Sequence, residues 1–173
     1  SVSPQDSIFK MNVLPAMDRF MKTPQFAPRY YYWLKRLADT AFAPAAMNPF
    51  LDQLLQGYVP QGTIDTMKAF NASRVNYVLS QIPLSLVGSN NLTLSSGYPR
   101  STSATVALMG GAHAANTAAV TVNGLPAAYV AWQGTWSLSG VPLRPGINRL
   151  LVRALGPDGV EVERATHEVW YDA

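Results

Sequence analysis

The sequence of 173 residues predicts an α+β protein of two segregated modules, a helical bundle over residues 1–85 and an antiparallel β-sandwich over residues 90–173. The first observation behind this prediction is a change near Ser85 in the spacing of apolar residues, from the period of helices to the alternation of strands. The second is a series of about seven short strand-like segments with frequent turns, which favours a sandwich. Residues 88–91, Gly-Ser-Asn-Asn, form the predicted linker.

Four helical segments are predicted in the first module, because apolar residues recur there at helical spacing between turn-forming Pro and Gly residues. They cover residues 14–22, 29–42, 44–57 and 63–82. The second segment carries an apolar stripe that we expect to face the core. This stripe consists of Tyr30, Trp33, Leu34, Leu37 and Ala41. Tyr31 or Tyr32 is then expected to be exposed or to pack on a neighbour, and residues 1–12 are expected to be a loose lead-in.

Seven strands are predicted in the second module from alternation and from β-branched residues. They cover residues 92–95, 105–109, 119–122, 128–132, 135–138, 148–154 and 160–171. Asn123-Gly124 and Asp158-Gly159 are dipeptides that tolerate positive φ, so they predict tight turns between strands.

Composition excludes several classes of function. There is no cysteine, which rules out disulfides, thiolate metal sites and thiol nucleophiles. Residues 1–85 hold eight Lys/Arg and five Asp/Glu, but no long basic run, so nucleic acid is not an expected partner. No apolar run approaches the roughly 20 residues of a membrane span, and residues 1–10 lack a signal-peptide layout. We therefore expect no transmembrane segment, and a chain that starts as a mature or excised fragment.

The second half of the chain resembles bacterial immunoglobulin-like modules of the glucodextranase domain-B type. The resemblance rests on Val120-Thr-Val-Asn-Gly124, Trp136-Ser137 and Leu143-Arg-Pro-Gly-Ile-Asn148, with Leu151-Val-Arg-Ala154 and a last strand from Thr166 to Tyr171. It covers nearly all of residues 92–172. It implies an immunoglobulin-like sandwich, of a kind that serves secreted enzymes and surface proteins mainly as a spacer or scaffold.

The first half, over roughly residues 10–82, is similar to the C-terminal helices of spore-coat-H-type (CotH) atypical kinases. The similarity rests on Arg29-Tyr-Tyr-Tyr-Trp-Leu34, Leu37-Ala-Asp-Thr-Ala-Phe42 and Phe70-Asn-Ala-Ser-Arg74. In that family these helices follow the nucleotide-binding and catalytic parts. This sequence has no Gly-rich phosphate loop, no Lys–Glu pair and no Asp–Asn metal pair at kinase spacing. The similarity therefore implies a catalytically empty fragment of an exported protein.

Side chains suited to catalysis are few and scattered. His113 and His167 are the two histidines, and neither has the spacing of a metal motif. No Gly-x-Ser-x-Gly elbow is present. Glu161 and Glu163 lie two apart on one predicted strand, so they cannot flank a sugar from opposite sides, and a solvated strand face is the simpler interpretation. We expect no enzyme activity, no catalytic residue, no cofactor and no metal.

Aromatic residues of the second module offer a candidate ligand surface. Trp136 is expected to fill the core. Trp132, Gln133, Tyr129 and Tyr98 could form a surface on which sugar rings stack. The alternative is that these aromatics pack between the sheets or seal the seam between the modules.

The function expected from these observations is that of a non-catalytic accessory or interaction module of a secreted or surface-attached bacterial protein. Its partner is expected to be a polysaccharide or another protein chain. A carbohydrate or cell-surface polymer is the first choice of ligand. The alternatives are a structural protein–protein subunit of an extracellular assembly, or the kinase-derived fragment described above.

Overall fold

The α+β class predicted from the sequence is confirmed by a computed structural model, which describes residues 2–10 and 13–173. Within the described residues, four helices precede two β-sheets. The helices are α1 (Pro15–Met21), α2 (Ala27–Asp39), α3 (Pro44–Leu55) and α4 (Gln61–Gln81). Each lies where the apolar spacing predicts one. Of the predicted lead-in, Ser1, Met11 and Asn12 lie outside the described residues.

The chain forms two compact units. The helical unit contains Ser1–Met21 and Arg29–Ile82, and the β unit contains Lys22–Pro28 and Pro83–Ala173. Residues 22–28 come before most of the helices in the chain but belong to the β unit. The apolar pattern of the sequence does not predict that residues 22–28 belong to the β unit, because this segment between two helices has no strand-like alternation.

The buried face of α2 differs from the predicted stripe. Ala27, Tyr31 and Ala38 are buried, whereas Trp33 is 53% exposed and Leu37 is also exposed. The prediction of Trp33 and Leu37 as core residues is therefore wrong, and Tyr31 is a core residue. The cause is that the apolar arc of this helix, opposite Lys35, Arg36 and Asp39, is wider than the part that is buried, so that helical spacing alone does not select which side of the arc faces the core.

The described part of the lead-in is anchored, in contrast to the loose segment expected. Tyr30 Oη donates a hydrogen bond to the Ile8 carbonyl, and the Phe9 ring meets the Tyr31 ring edge-on at 5.9 Å between centroids. Arg74 Nη1 donates to the carbonyl oxygens of Pro4, at 3.1 Å, and Asp6. The burial of Tyr31 raises the pKa of its phenol to about 12, with a smaller contribution from neighbouring Tyr30.

Ten strands form the two sheets of the β unit. They are β1 (Val87–Ser89), β2 (Leu94–Ser95), β3 (Tyr98–Ser101), β4 (Thr105–Gly111), β5 (Ala119–Val122), β6 (Leu125–Pro126), β7 (Ala128–Val130), β8 (Thr135–Pro142), β9 (Gly146–Leu155) and β10 (Glu161–Tyr171). The smaller sheet has the order β1-β4-β8-β7, and the larger has the order β2-β3-β10-β9-β5-β6. The larger sheet is mixed, because β3 and β10 are parallel, so the expectation of purely antiparallel sheets is wrong at this pair.

The predicted linker is partly a strand. Gly88 and Ser89 belong to β1, which pairs antiparallel with β4 and places Gly88 opposite Gly110. Glycine is required at both positions because of close packing. A Cβ at Gly110 would lie 1.9 Å from the Val87 carbonyl oxygen, and a Cβ at Gly88 would lie 2.3 Å from His167 Nε2. Gly-Ser-Asn-Asn therefore marks a close approach of backbones as well as a loop.

The two sheets bury their inner faces in one shared core. From the smaller sheet this core takes Val106, Leu108, Trp136 and Val141, and from the larger Val120, Val122, Leu150, Val152, Ala154 and Val169. Trp136 is 2% exposed, as the sequence predicts. Its indole Nε1 donates to the carbonyl oxygens of Gly111 at 2.9 Å and Val87 at 3.2 Å, which ties β1 to the core.

We predict that Gly110→Ala destabilises the β unit by about 3 kcal/mol or more, because the added methyl overlaps the Val87 backbone and β1 must move. The measurement is a urea titration followed by circular dichroism. Gly62→Ala is the control, since a Cβ there meets nothing within 4 Å, and it should leave stability unchanged or slightly higher. Equal stability of Gly110→Ala and the wild type would contradict this packing.

Candidate functional site

The predicted ligand residues of the β unit do not form one surface. Trp132 and Gln133 lie in the turn between β7 and β8, and Tyr129 lies on β7 at an edge of the smaller sheet. Tyr98 lies on β3, in the larger sheet. Tyr129 packs against the shared core, which is the structural role weighed against ligand binding.

Trp132 is half-buried, and one face of its ring is occupied. The Nζ of Lys22 lies 4.4 Å from the centroid of the Trp132 ring, within the range of a cation–π contact. A sugar stacking on that face would have to displace the ammonium group. Gln133 is exposed, and its side-chain oxygen lies 3.4 Å from the Thr135 hydroxyl. Sugar binding at this turn stays a prediction.

Of the two carboxylates singled out in the sequence, Glu161 takes part in ion pairs. Glu161 lies 2.5 Å from Arg164 Nε and 3.3 Å from Arg153 Nε, on the surface formed by β9 and β10. Among residues 2–10 and 13–173, no group of three or more His, Asp or Glu side chains is close enough to hold a metal ion. These observations favour the interpretation of Glu161 as part of a solvated strand face.

The helical unit contains an open apolar groove of about 520 Å³. Its lining comes from the segment between α2 and α3, from α3 and from α4. The apolar members are Phe42, Met47, Leu51, Met67 and Phe70. A second pocket of about 210 Å³, between α2 and α4, shares Phe42, Asn71 and Arg74 with the first. Because the two pockets share these three residues they are neighbours, and we call them together the α4 groove.

The floor of the α4 groove is a single stripe of helix α4. It consists of Met67, Phe70, Asn71, Arg74, Val75 and Val78. Their spacing of three and four residues places these side chains on one face. From Met67 to Val78 the stripe covers about 16 Å, or about three helical turns. Val75 and Val78 are buried, whereas Met67 is 42% and Phe70 is 39% exposed, so the outer end of the floor is open.

Polar contacts fix the walls of the groove. The Asn71 side chain donates to the Phe42 carbonyl at 2.8 Å, and the ion pair of Lys68 with Asp52, at 2.6 Å, joins α4 to α3. Arg74 is held by the lead-in carbonyls described above. Its charge also contributes to lowering the pKa of the Asp6 carboxyl, which falls mainly because of its hydrogen bond with Lys10. The groove therefore has a defined shape without an occupant.

The sequence contains a signal for this groove, although only a helical bundle was predicted. α3 carries five large apolar residues over nine positions and buries none of them fully. Together with the stripe on α4, this is more apolar surface than three short helices can cover. A comparison of apolar stripe width with the number of helices available could have predicted an open face.

No protein-family model matches this chain, and no curated protein matches it significantly. None of the helices among the described residues combines the length and the apolar character needed to cross a membrane.

Burial of His167 makes the stability of the β unit depend on pH. Its Nε2 is buried against Gly88 without a hydrogen-bond partner, and burial lowers the pKa of the imidazole. Because the folded-state pKa lies below the unfolded value, the unfolded chain binds the proton more readily at acid pH. The stability contributed by neutral His167 is present above the unfolded pKa, about 6.5, and is lost as the pH falls through the folded value.

We therefore predict that the free energy of unfolding of the β unit decreases as the pH falls below about 6.5. In His167→Phe, this part of the decrease should disappear. His113→Gln, which keeps His167, should retain it. Urea titrations at a series of pH values measure the effect. An unchanged decrease in His167→Phe would show that another group titrates.

Proposed function

We propose that this chain is a non-catalytic interaction module that binds an amphipathic helix of a protein partner in its α4 groove. The observation that carries the proposal is the apolar floor of α4, flanked by α2 and α3 and left open at Met67 and Phe70. Apolar grooves between helices are surfaces on which amphipathic helices of partner proteins dock. The side chains that could take part in catalysis are ion-paired or isolated, as described above.

The walls of the groove favour a helical occupant. All of the backbone that lines the floor belongs to α4, whose interior N–H and C=O groups are bonded within the helix. An extended segment would find no strand edge to pair with there. A helix satisfies its own backbone and presents apolar side chains at i, i+3, i+4 and i+7, which match a floor of three turns. Met47 and Met67 adapt readily to such side chains.

The charge of residues 1–85 indicates which side chains the partner's helix carries beside its apolar face. Residues 1–85 contain eight Lys/Arg and five Asp/Glu, and Arg74 lines the groove itself. A helix with apolar residues on one face and carboxylates on its flanks would gain attraction to this surface, mainly in its rate of association. An acidic amphipathic helix is thus the proposed occupant.

The β unit, in this proposal, is the rigid support for the interaction. We propose that it is an immunoglobulin-like sandwich of the secreted bacterial type, on the resemblance given under Sequence analysis and on the shared core of its two sheets. A location outside the bacterial cell, secreted or at the surface, belongs to the same proposal. So does the derivation of the helices from an exported CotH-like protein that carries no kinase machinery in this part.

A designed peptide tests the groove. The probe is an amidated peptide of about 14 residues, long enough for four turns, with leucine at i, i+3, i+4 and i+7 and glutamate on the flanks. A peptide of the same composition in permuted order is the reference. We expect the patterned peptide to bind and to gain helical circular dichroism, and the permuted one to bind at least tenfold more weakly.

A matched pair of variants locates the site. Met67→Glu places a charge in the floor and should weaken binding of the patterned peptide by about tenfold or more. Tyr58→Glu is the same type of change at a side chain that is 90% exposed and outside the groove, and should leave binding unchanged. Fluorescence anisotropy measures both. Equal binding of the two peptides, or equal effects of the two substitutions, would rule out the α4 groove as the site.

A further inference from the structure

A second depression, of about 330 Å³, lies in the β unit where β3 ends and β4 begins. It is separate from the α4 groove and differs from it in chemistry, because six of the nine residues that line it are polar. Side-chain hydroxyls come from Thr102, Ser103 and Thr105, an amide from Asn91 and a guanidinium from Arg100. We call it the hydroxyl pocket. Its volume lies at the lower end of the range of small-molecule sites, roughly 300–1,000 Å³.

The floor of the hydroxyl pocket is apolar and fixed. Val106 is buried in the shared core, and Leu92 packs against that core. Ser101 is buried and its hydroxyl is satisfied within the turn, since it accepts from Ser103 N at 3.1 Å and donates to the Ser103 carbonyl at 2.9 Å. This hydrogen-bonded turn sets the direction in which the neighbouring Thr102 and Ser103 present their side chains to the pocket.

Arg100 is held in place from two sides. Its guanidinium forms an ion pair with Asp172 through Nη2, and its central carbon lies 4.9 Å from the centroid of the Trp170 ring. Trp170 is the residue paired with Arg100 between β10 and β3. A guanidinium has five N–H donors, so donors remain for a ligand after this ion pair has formed. Holding them in one geometry reduces the entropy lost when a ligand binds.

The charge balance favours a neutral ligand. Asp172 offsets the charge of Arg100, and residues 86–173 contain five Arg and five Asp/Glu. A phosphate or sulfate would require cations that are not already paired. Hydroxyl and amide groups both donate and accept hydrogen bonds, as sugar hydroxyls do, and an apolar floor suits the C–H face of a sugar ring.

We infer that the hydroxyl pocket binds a neutral saccharide. Arg100, Thr102 and Asn91 hydrogen-bond its hydroxyl groups, and its C–H face lies over Leu92. Tyr98, two residues before Arg100 on β3, lies on the same side of that strand and extends the surface along it. This places saccharide binding in the larger sheet, away from the Trp132 turn, and independent of the α4 groove.

The test is a titration of ¹⁵N-labelled protein with hexasaccharides, followed by amide chemical shifts. The probes are the β-linked hexamers of glucose, xylose and N-acetylglucosamine, and sodium phosphate serves as an anionic probe. We expect at least one hexamer to shift amides of residues 91–92 and 100–107, with little change elsewhere. Absence of shifts with all three hexamers, or saturation by phosphate at a lower concentration than by any sugar, would overturn the inference.

Variants complete the test. Arg100→Gln and Thr102→Val should each weaken binding of the responding hexamer, the first by about tenfold or more because it removes a charged donor. Arg149→Gln is the matched control, since it breaks a comparable exposed ion pair, with Glu168, outside the pocket. Exposed ion pairs contribute little to stability, so all three should remain folded. Met67→Glu should not alter sugar binding. Equal affinities of Arg100→Gln and Arg149→Gln would contradict the role of Arg100.

Discussion

The helical unit has too few helices to cover all of its apolar surface. Helix α4 carries an apolar stripe of about three turns, and the partners available to cover it are α2 and the short α3. They bury Ile64, Val75 and Val78 but leave Met67 and Phe70 exposed. Burial stabilises in proportion to the apolar area removed from water, so an open stripe is a source of binding free energy that folding has not used. Asn71 and Arg74, the polar members of the stripe, donate hydrogen bonds to the backbone carbonyls of Phe42 and Pro4.

In the β unit, by contrast, the two sheets cover each other's apolar inner faces. Close contact of β1 with β4 depends on glycine at Gly88 and Gly110, and the indole of Trp136 fastens β1 through the Val87 carbonyl. Its edge strands β2 and β6 are two residues long each, which limits pairing with other chains. Binding by this unit is therefore better served by side chains at the strand ends, such as those of the hydroxyl pocket, than by strand addition.

Buried apolar residues recur at a different spacing in helices and in strands, and this spacing changes near Ser85. The types of the elements could therefore be predicted from the sequence. Which face is buried could be predicted only where polar residues mark the other side. Trp136 alternates with serine and threonine and is correctly assigned to the core. On α2 the charged residues mark one face, but the apolar arc opposite is wide enough to hold both exposed Trp33 and buried Tyr31. Gly88 suggested a linker because local sequence does not show that His167, 79 positions later, packs against it. The hydroxyl pocket is made by residues 91–107, which are close in the chain, but its shape depends on how the turn after β3 folds, and residue spacing does not predict that.

The most direct test of the proposed docking is the heat-capacity change on binding the patterned acidic peptide, obtained by calorimetry at several temperatures. Removal of apolar surface from water gives a negative heat-capacity change, and this sign is a robust marker of such burial. We predict a negative value for the wild type and a smaller magnitude for Met67→Glu. A heat-capacity change near zero, with an affinity that disappears at raised salt concentration, would show that the peptide binds only by charge, and would contradict a docking surface on α4.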